Sequence, residues 1–390
     1  MAAEKGPHMA ARLAGIQPFR VMELLARARE LEAAGRSIVH MEIGEPDFGT
    51  PEPVAEAAKA ALTAGRTHYT PAGGLPELRR AIAGFYAERY GVTVAPERVV
   101  VTPGASGALL LALGTLLNPG DEVLLADPGY PCNRHFVRFL EGRPVPVPVG
   151  PDQRYQLDAA AVAEHWGERT VAAMVGSPSN PIGTVATAAE QAALAAAVRE
   201  RGGVLLADEI YHGLTYGGEA ATALAADQGA LVINSFSKYF CMTGWRLGWL
   251  VAPEAYAKEA EKLAQNLFIA APTVSQHAAV AAFSAENMAI LEARRQAFAE
   301  RRDFLLPQLR RLGFRVPAEP EGAFYIYADC SAFSTDSRAF CKRLLEEAGV
   351  AVTPGLDFGE HEPETHLRFA YTNSLENLAE GVRRLEAFLG

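Results

Sequence analysis

The feature that most restricts this chain is a series of short, almost wholly apolar runs spaced through its middle. They are Val99–Thr102, Val123–Ala126, Val171–Val175, Val204–Ala207, Leu231–Asn234 and Leu247–Val251. Each is too short for a core helix, and none shows the alternation of a strand with one wet face. Such runs suit strands buried on both sides. Helical stretches separate them, from about Ala105 to Leu117 and over 187–201. Strands alternating with helices imply a mostly parallel sheet in an α/β fold, here a three-layer large domain. At 390 residues the chain suits that domain plus a smaller one.

The last hundred or so residues carry a different pattern. A long charged helix over about 285–312 leads to a strand near Phe324–Tyr327. A helix at 336–348, short strands near Val350–Val352 and Leu367–Ala370, and a closing helix from about Leu375 follow. This is the pattern of a smaller α+β domain. The segment FRVMELLARARELEAA at 19–34 is an amphipathic helix suited to pack on that domain and cover a cleft. The expected division is an N-terminal arm and helix at 1–45 joining the small domain, a large domain at 46–284 and a small domain at 285–390. The uncharged run Phe268–Ala285 contains Pro272, Ser275, Gln276 and His277, so it reads as a buried helix and not a membrane span.

Lys and Arg number 36 against 46 Asp and Glu, a net charge of -10 that offers no basic face to a nucleic acid. Cys132, Cys241, Cys330 and Cys341 are scattered, with no CxxC pair and no histidines at metal spacing. Free thiols in a reducing cytosol are expected, with neither a zinc site nor a disulfide framework. Gly6–Met9, GPHM, reads as a cloning remnant, and no secretory signal precedes it. A cytoplasmic protein is the expectation.

In an open α/β sheet, ligands bind beyond the carboxyl ends of the strands, and several polar residues fall at such positions. Thr102-Pro103-Gly104-Ala105-Ser106-Gly107 joins a strand to a helix; it is either a structural turn or a phosphate seat built from free helix-start amides. Asp208, after GGVLLA, serves equally as a helix cap, as a salt-bridge partner, or as the carboxylate that keeps a ring nitrogen protonated. Tyr211 can reach the same ligand. Ser235-Phe236-Ser237-Lys238, with Arg246 eight residues on, offers hydroxyls and a guanidinium to a phosphate dianion and an amine to an aldehyde. A solvated loop lysine remains the alternative. Asn180 in SPSNPIG is a turn residue or an amide donor. Tyr130 in DPGYP is a loop aromatic or a stacking face. Arg368 in HLRFAY is half of a structural ion pair or an anchor for an anion. Together these groups meet the needs of pyridoxal phosphate without any metal.

On these residues the chain resembles the class I/II aminotransferases, fold-type I pyridoxal phosphate enzymes of the aspartate aminotransferase kind. The likeness runs from about residue 17. It is carried by IGEPDF at 43–48, HYTPAGGLPELRRAI at 68–82, TPGASGAL at 102–109, DPGYP at 127–131, SPSNPIG at 177–183, ADEIY at 207–211, SFSKYFCMTGWRLGW at 235–249 and LRFAY. The resemblance implies pyridoxal 5'-phosphate held as an imine on Lys238 and ping-pong transamination between an amino acid and a 2-oxo acid. It implies that Asp208 pairs with the ring nitrogen, and that Tyr211 and Asn180 bond the ring oxygen. Ser235, Ser237, Arg246 and the backbone at Gly104, Ala105 and Ser106 would hold the phosphate, and Tyr130 would stack on the ring. Tyr69 would reach the phosphate of a partner subunit, making a homodimer with shared sites. Arg368, helped by the Gly44 backbone, would anchor the substrate carboxylate.

The same motifs serve C–S lyases and other non-transaminating enzymes of this fold, so transamination is the first expectation and a lyase the alternative. A nicotinamide dehydrogenase is disfavoured, since GASG lacks the GxGxxG spacing. An amino-acid-sensing transcription regulator would need a further DNA-binding domain. The substrate pair is left open, with glutamate and 2-oxoglutarate as the default. Arg20, Arg134 and His135 are candidate cations for a second carboxylate, while Phe19, Asn133, Asn266 and Phe268 are candidates to shape an apolar pocket.

Overall fold

The structure is a computed structural model describing residues 9–18 and 20–390. Phe19 and most of the GPHM segment therefore lie outside the described residues. The centre is a sheet of seven strands: β2 (Val99–Thr102), β3 (Glu122–Asp127), β4 (Arg143–Pro148), β5 (Thr170–Gly176), β6 (Val204–Asp208), β7 (Leu231–Ser235) and β8 (Gly248–Val251). Their order is β2-β8-β7-β6-β5-β3-β4. Only β8 runs against its neighbours; the other pairings are parallel. Alternate strand residues enter two separate cores. Val99, Val101, Leu205 and Ala207 point into one, while Val100, Leu206, Ile233 and Leu250 point into the other. Two buried faces explain the unbroken apolar runs.

Helices α2 (Glu52–Thr63), α3 (Pro76–Tyr90), α4 (Gly104–Leu116), α5 (Pro131–Phe139), α6 (Ala159–His165), α7 (Ala188–Glu200), α8 (Ala223–Ala226), α9 (Glu254–Leu267) and α10 (Thr273–Val280) cover the sheet. The remaining elements form a smaller body. Here α11 (Ala285–Arg311), α12 (Ser337–Arg343) and α13 (Leu375–Leu389) surround an antiparallel sheet of β9 (Tyr325–Asp329), β12 (His366–Ala370) and β11 (Thr353–Pro354). Strand β1 (Val39–His40) pairs in parallel with β10 (Val350–Ala351). The N-terminal helix α1 (Arg20–Ala33) packs Ala28 and Leu31 on Leu345 and Ala351, so the first segment joins the last part of the chain.

Three elements differ from the sequence expectation. Strand β4, RPVPVP, goes unnoticed because three prolines argue against a strand. It lies at the sheet edge, paired only with β3, and its prolines recur at every second residue, so their missing N–H groups all fall on the unpaired side. The run 268–285 is helical only from Thr273, because Pro272 starts the helix. The helix expected over 336–348 gives way after Arg343 to a wider π-helical turn at Leu344–Ala348, closed by left-handed Gly349.

Candidate active site

The polar residues singled out from the sequence gather where the parallel strands end. Gly104 follows β2, Tyr130 follows β3, Asn180 follows β5, Asp208 ends β6 and Lys238 follows β7. Because β8 is reversed, its first residue Gly248 and the preceding Arg246 arrive at the same rim. Ala105, Ser106, Tyr130, Asn180, Asp208, Tyr211, Ser235, Ser237, Lys238, Arg246, Gly44 and Arg368 all line one open cleft. Tyr69 does not. It is 81% exposed on the surface, yet its neighbours are fixed: the His68 carbonyl accepts from Thr273 Oγ1 at 2.8 Å, and Thr70 Oγ1 from Gln276 Nε2 at 2.9 Å.

Lys238 sits on a loop nailed down by aromatic side chains. Phe236 meets Trp249 at 4.9 Å and Phe240 at 5.1 Å between ring centres, and Phe240 meets Phe283 at 5.3 Å. With residues two on either side buried in this cluster, the intervening lysine is turned to the cleft, where its Nζ donates to the Gly44 carbonyl at 2.6 Å. Burial drives its pKa down to about 8, assisted by the Arg368 and Arg246 cations and opposed by Glu45 and Asp208. An amine of this kind is a far better nucleophile and base near neutral pH than an exposed lysine.

Asp208 shows the opposite shift for the same reason. Burial pushes its carboxyl up to about 7, while the Ile210 N–H, 3.2 Å away, and Lys238 favour the charged form. No arginine, lysine or histidine of the described residues forms a salt bridge with it. A buried carboxylate so placed calls for a cationic partner from a ligand.

The start of α4 supplies the seat for an anion. Its cap residue Pro103 offers no side-chain acceptor to the first amides, and Arg246 lies against them. A Cβ on Gly104, whose φ is +70°, would stand 2.7 Å from Arg246 Nη2, and one on Gly248 would strike the Gly104 carbonyl carbon at 2.7 Å. A guanidinium beside the positive end of a helix is repelled unless both share an anion. Ser235 Oγ donates to Ser237 Oγ at 2.9 Å, which leaves the Ser237 hydroxyl proton free at the same rim.

On the opposite wall, Arg368 is almost fully buried between Tyr325 and Phe358, its guanidinium carbon 4.2 and 4.9 Å from their ring centres. Its Nη2 donates to the Glu42 carbonyl at 2.7 Å and to Thr353 Oγ1 at 3.3 Å, and its Nη1 to Asn180 Oδ1 at 3.1 Å. The last bond fixes the Asn180 amide with its NH2 group left to donate elsewhere. Arg368 Nε is buried without a partner, which suits an incoming carboxylate. Of the groups lining the cleft, sequence reasoning missed Tyr325, whose hydroxyl meets that of Tyr211 at 2.9 Å. The one available signal was a tyrosine within the buried strand GAFYIY, where a hydroxyl must find a partner.

The residues considered for side-chain recognition separate. Arg20, Arg134 and His135 line an adjoining cavity, and Arg134 donates to the Asp357 carbonyl at 3.0 Å. Asn133 and Arg134 also line a chamber that shares Tyr130, Asn180, Asp208 and Tyr211 with the cleft. Asn266 donates to the Lys262 carbonyl in its own helix, and Phe268 packs near Gly107.

Pyridoxal phosphate fits each of these groups: an aldehyde for the amine of lowered basicity, a protonated ring nitrogen for the buried Asp208 carboxylate that no cationic side chain pairs, and a phosphate for the uncapped helix start and its guanidinium. Fold and cleft thus set the protein among the pyridoxal phosphate enzymes. Comparison with known proteins narrows the class. The pattern of aminotransferases of class I and II matches residues 36–385, and the chain belongs to this family: it is a pyridoxal phosphate-dependent aminotransferase. It is 42% identical to valine–pyruvate aminotransferase of Mycobacterium tuberculosis, over 96% of this chain and 97% of that protein. It is 37% identical to aspartate/prephenate aminotransferase of Thermus thermophilus, over 97% and 98%. The crystal structure of an aminotransferase from Mycobacterium tuberculosis superposes with a TM-score of 0.95 at 41% identity, covering 98% of this chain and 99% of that one.

Proposed function

We propose that the cleft transaminates amino acids with neutral, apolar side chains against a small 2-oxo acid. The observation that carries this is the supply of cations. Among the described residues, Lys238, Arg246 and Arg368 are the only lysines, arginines or histidines lining the cleft. With Arg246 given to phosphate and Arg368 to the α-carboxylate, this chain's own cleft lining offers a second substrate carboxylate no further cation. Val21, Met22 and Leu25 of α1 instead present apolar surface to the cleft. The name of the mycobacterial relative, valine–pyruvate aminotransferase, is in keeping with such a donor.

When bound, pyridoxal phosphate supplies an aldehyde for amines and an electron-poor ring that accepts the electron pair left on the substrate Cα. This chain's residues do the rest. Lys238 would anchor the cofactor, and its free Nζ would carry the substrate Cα proton, a task suited to a pKa near 8. Asp208 would keep the ring nitrogen cationic, and Tyr211 with the Asn180 NH2 would steady the ring oxygen. Tyr130 would stack on the ring, while Ser235, Ser237, Arg246 and the amides of Gly104, Ala105 and Ser106 would hold the phosphate. Arg368, with the Gly44 backbone, grips the carboxylate and so orients the Cα–H bond. One cleft serves both half-reactions, which makes the kinetics ping-pong. The exposed but anchored Tyr69 supports a homodimer in which it completes the partner's site, with residues 46–284 as the cofactor-bearing domain. Four free thiols, three of them buried, suit a reducing cytoplasm.

The test is a panel of donors against pyruvate, oxaloacetate and 2-oxoglutarate. Valine and leucine should exceed aspartate in kcat/KM by at least about ten-fold, the cost of leaving one carboxylate poorly solvated. A preference for aspartate would overturn the proposal. Arg368→Ala should raise the KM for every amino donor about a hundred-fold, as expected on losing a buried charge-assisted pair, with cofactor affinity changed far less. Unaltered KM values would remove Arg368 from the anchor role.

A further inference from the structure

Resting on the reading that Tyr211 faces the cofactor's ring oxygen, we propose that Tyr325 is a positioning residue that sets the direction of the Tyr211 hydroxyl proton. The two hydroxyls are 2.9 Å apart, both residues are buried, and they arrive from different bodies: Tyr211 from the rim after β6, Tyr325 from β9. Only one proton can lie between the two oxygens. If Tyr211 donated it, Tyr211 would have none to offer a ligand.

The surroundings of Tyr325 decide the matter. Its hydroxyl has no hydrogen-bond partner among the described residues except Tyr211, and Gly44 crowds it so closely that a Cβ there would stand 2.1 Å from the oxygen. Tyr211 is thus the one acceptor the described residues offer the Tyr325 proton, and a buried hydroxyl without an acceptor is costly. Both residues line the cleft, but on the reading above the Tyr211 proton goes to the ring oxygen, so the proton between the two hydroxyls is that of Tyr325. The order is therefore Tyr325 to Tyr211 to ring oxygen, and accepting one hydrogen bond makes Tyr211 a stronger donor in the next.

The ring of Tyr325 has a separate task. It lies 4.2 Å under the Arg368 guanidinium and meets the Tyr211 ring edge-on at 82°. Gly44, held against this hydroxyl, also carries the carbonyl that accepts from Lys238. One side chain thus touches the ring-oxygen donor, the carboxylate anchor and the backbone beside the lysine. The other titratable groups facing the hydroxyl pair are Arg368 and Tyr130, with Asp208 and Lys238 across the cleft and Lys238 Nζ 6.0 Å from the Tyr211 ring centre. All of them remain when only the Tyr325 hydroxyl is removed.

The experiment is a pH titration of the visible absorption of the cofactor-loaded enzyme, wild type against Tyr325→Phe. A weaker donor leaves more negative charge on the ring oxygen, which holds the neighbouring proton more tightly, so the spectral midpoint should rise by about half a pH unit. In a Tyr211→Phe background the same change should add nothing. Tyr325→Phe keeps the ring, so the KM for amino donors should stay within about two-fold, whereas Tyr325→Leu should raise it about five-fold by stripping Arg368 of its aromatic face. Equal midpoints for wild type and Tyr325→Phe, or a shift that persists without the Tyr211 hydroxyl, would overturn the inference. A wild-type protein that takes up no cofactor and shows no band would instead defeat the functional reading beneath it.

Discussion

Lys238→Ala protein supplied with pyridoxal phosphate is expected to show only the spectrum of the free aldehyde and to lose turnover by at least about 10⁴-fold. The structure makes this side chain hard to replace. Among the described residues it is the one lysine lining the cleft, held by the Gly44 carbonyl and lowered to a pKa of about 8 by its surroundings. Borohydride should fix cofactor mass on the wild-type chain and none on the variant, as read by intact-mass spectrometry. Retained activity, or cofactor trapped on another residue, would refute the assignment. The substitution should leave the fold intact, since the loop is fixed by Phe236 and Phe240 and not by the lysine.

Asp208→Ala has the second largest expected effect: cofactor still binds, but removal of the Cα proton slows roughly 10²–10³-fold, the usual cost of deleting one preorganised electrostatic group. Single-turnover mixing with an amino acid measures this step directly, and an unchanged rate would exclude a role for the carboxylate in withdrawing charge. The apoprotein gives an independent check with a defined sign. Burial raises the folded carboxyl from 3.8 to about 7, so the folded state binds more protons than the unfolded state between those values. The group's contribution to stability is complete below about pH 4 and is lost as pH rises through 7. Asp208→Asn apoprotein should therefore melt a few degrees above wild type at pH 8 and show no such gain at pH 4. With cofactor bound, a cationic ring nitrogen beside Asp208 should shrink the pH 8 difference.

The sheet was legible because both its faces are buried. The runs from Val99–Thr102 to Leu247–Val251 lack polar interruptions, and the structure strings them into one mostly parallel sheet. Strand β4 was not, because the edge position that makes alternate prolines harmless is a property of the assembled sheet. Likewise, the wide turn at Leu344–Ala348 reflects packing against α13 and β10, which no local propensity records.

For the cleft, the chain's order of residues determined the chemistry on offer: an amine, a carboxylate and a glycine-lined helix start at the ends of apolar strands, with one guanidinium just before a strand and another within one. Tertiary structure decided what those groups become. It withdrew Lys238 and Asp208 from water, and desolvation then shifted their protonation in opposite directions. It turned Arg20 and His135 toward a neighbouring cavity, and it brought Tyr325 from the small body against Tyr211 of the large one, 114 residues away. Burial and long-range contact depend on how the two bodies meet, and that is fixed by packing, which spacing along a chain does not encode.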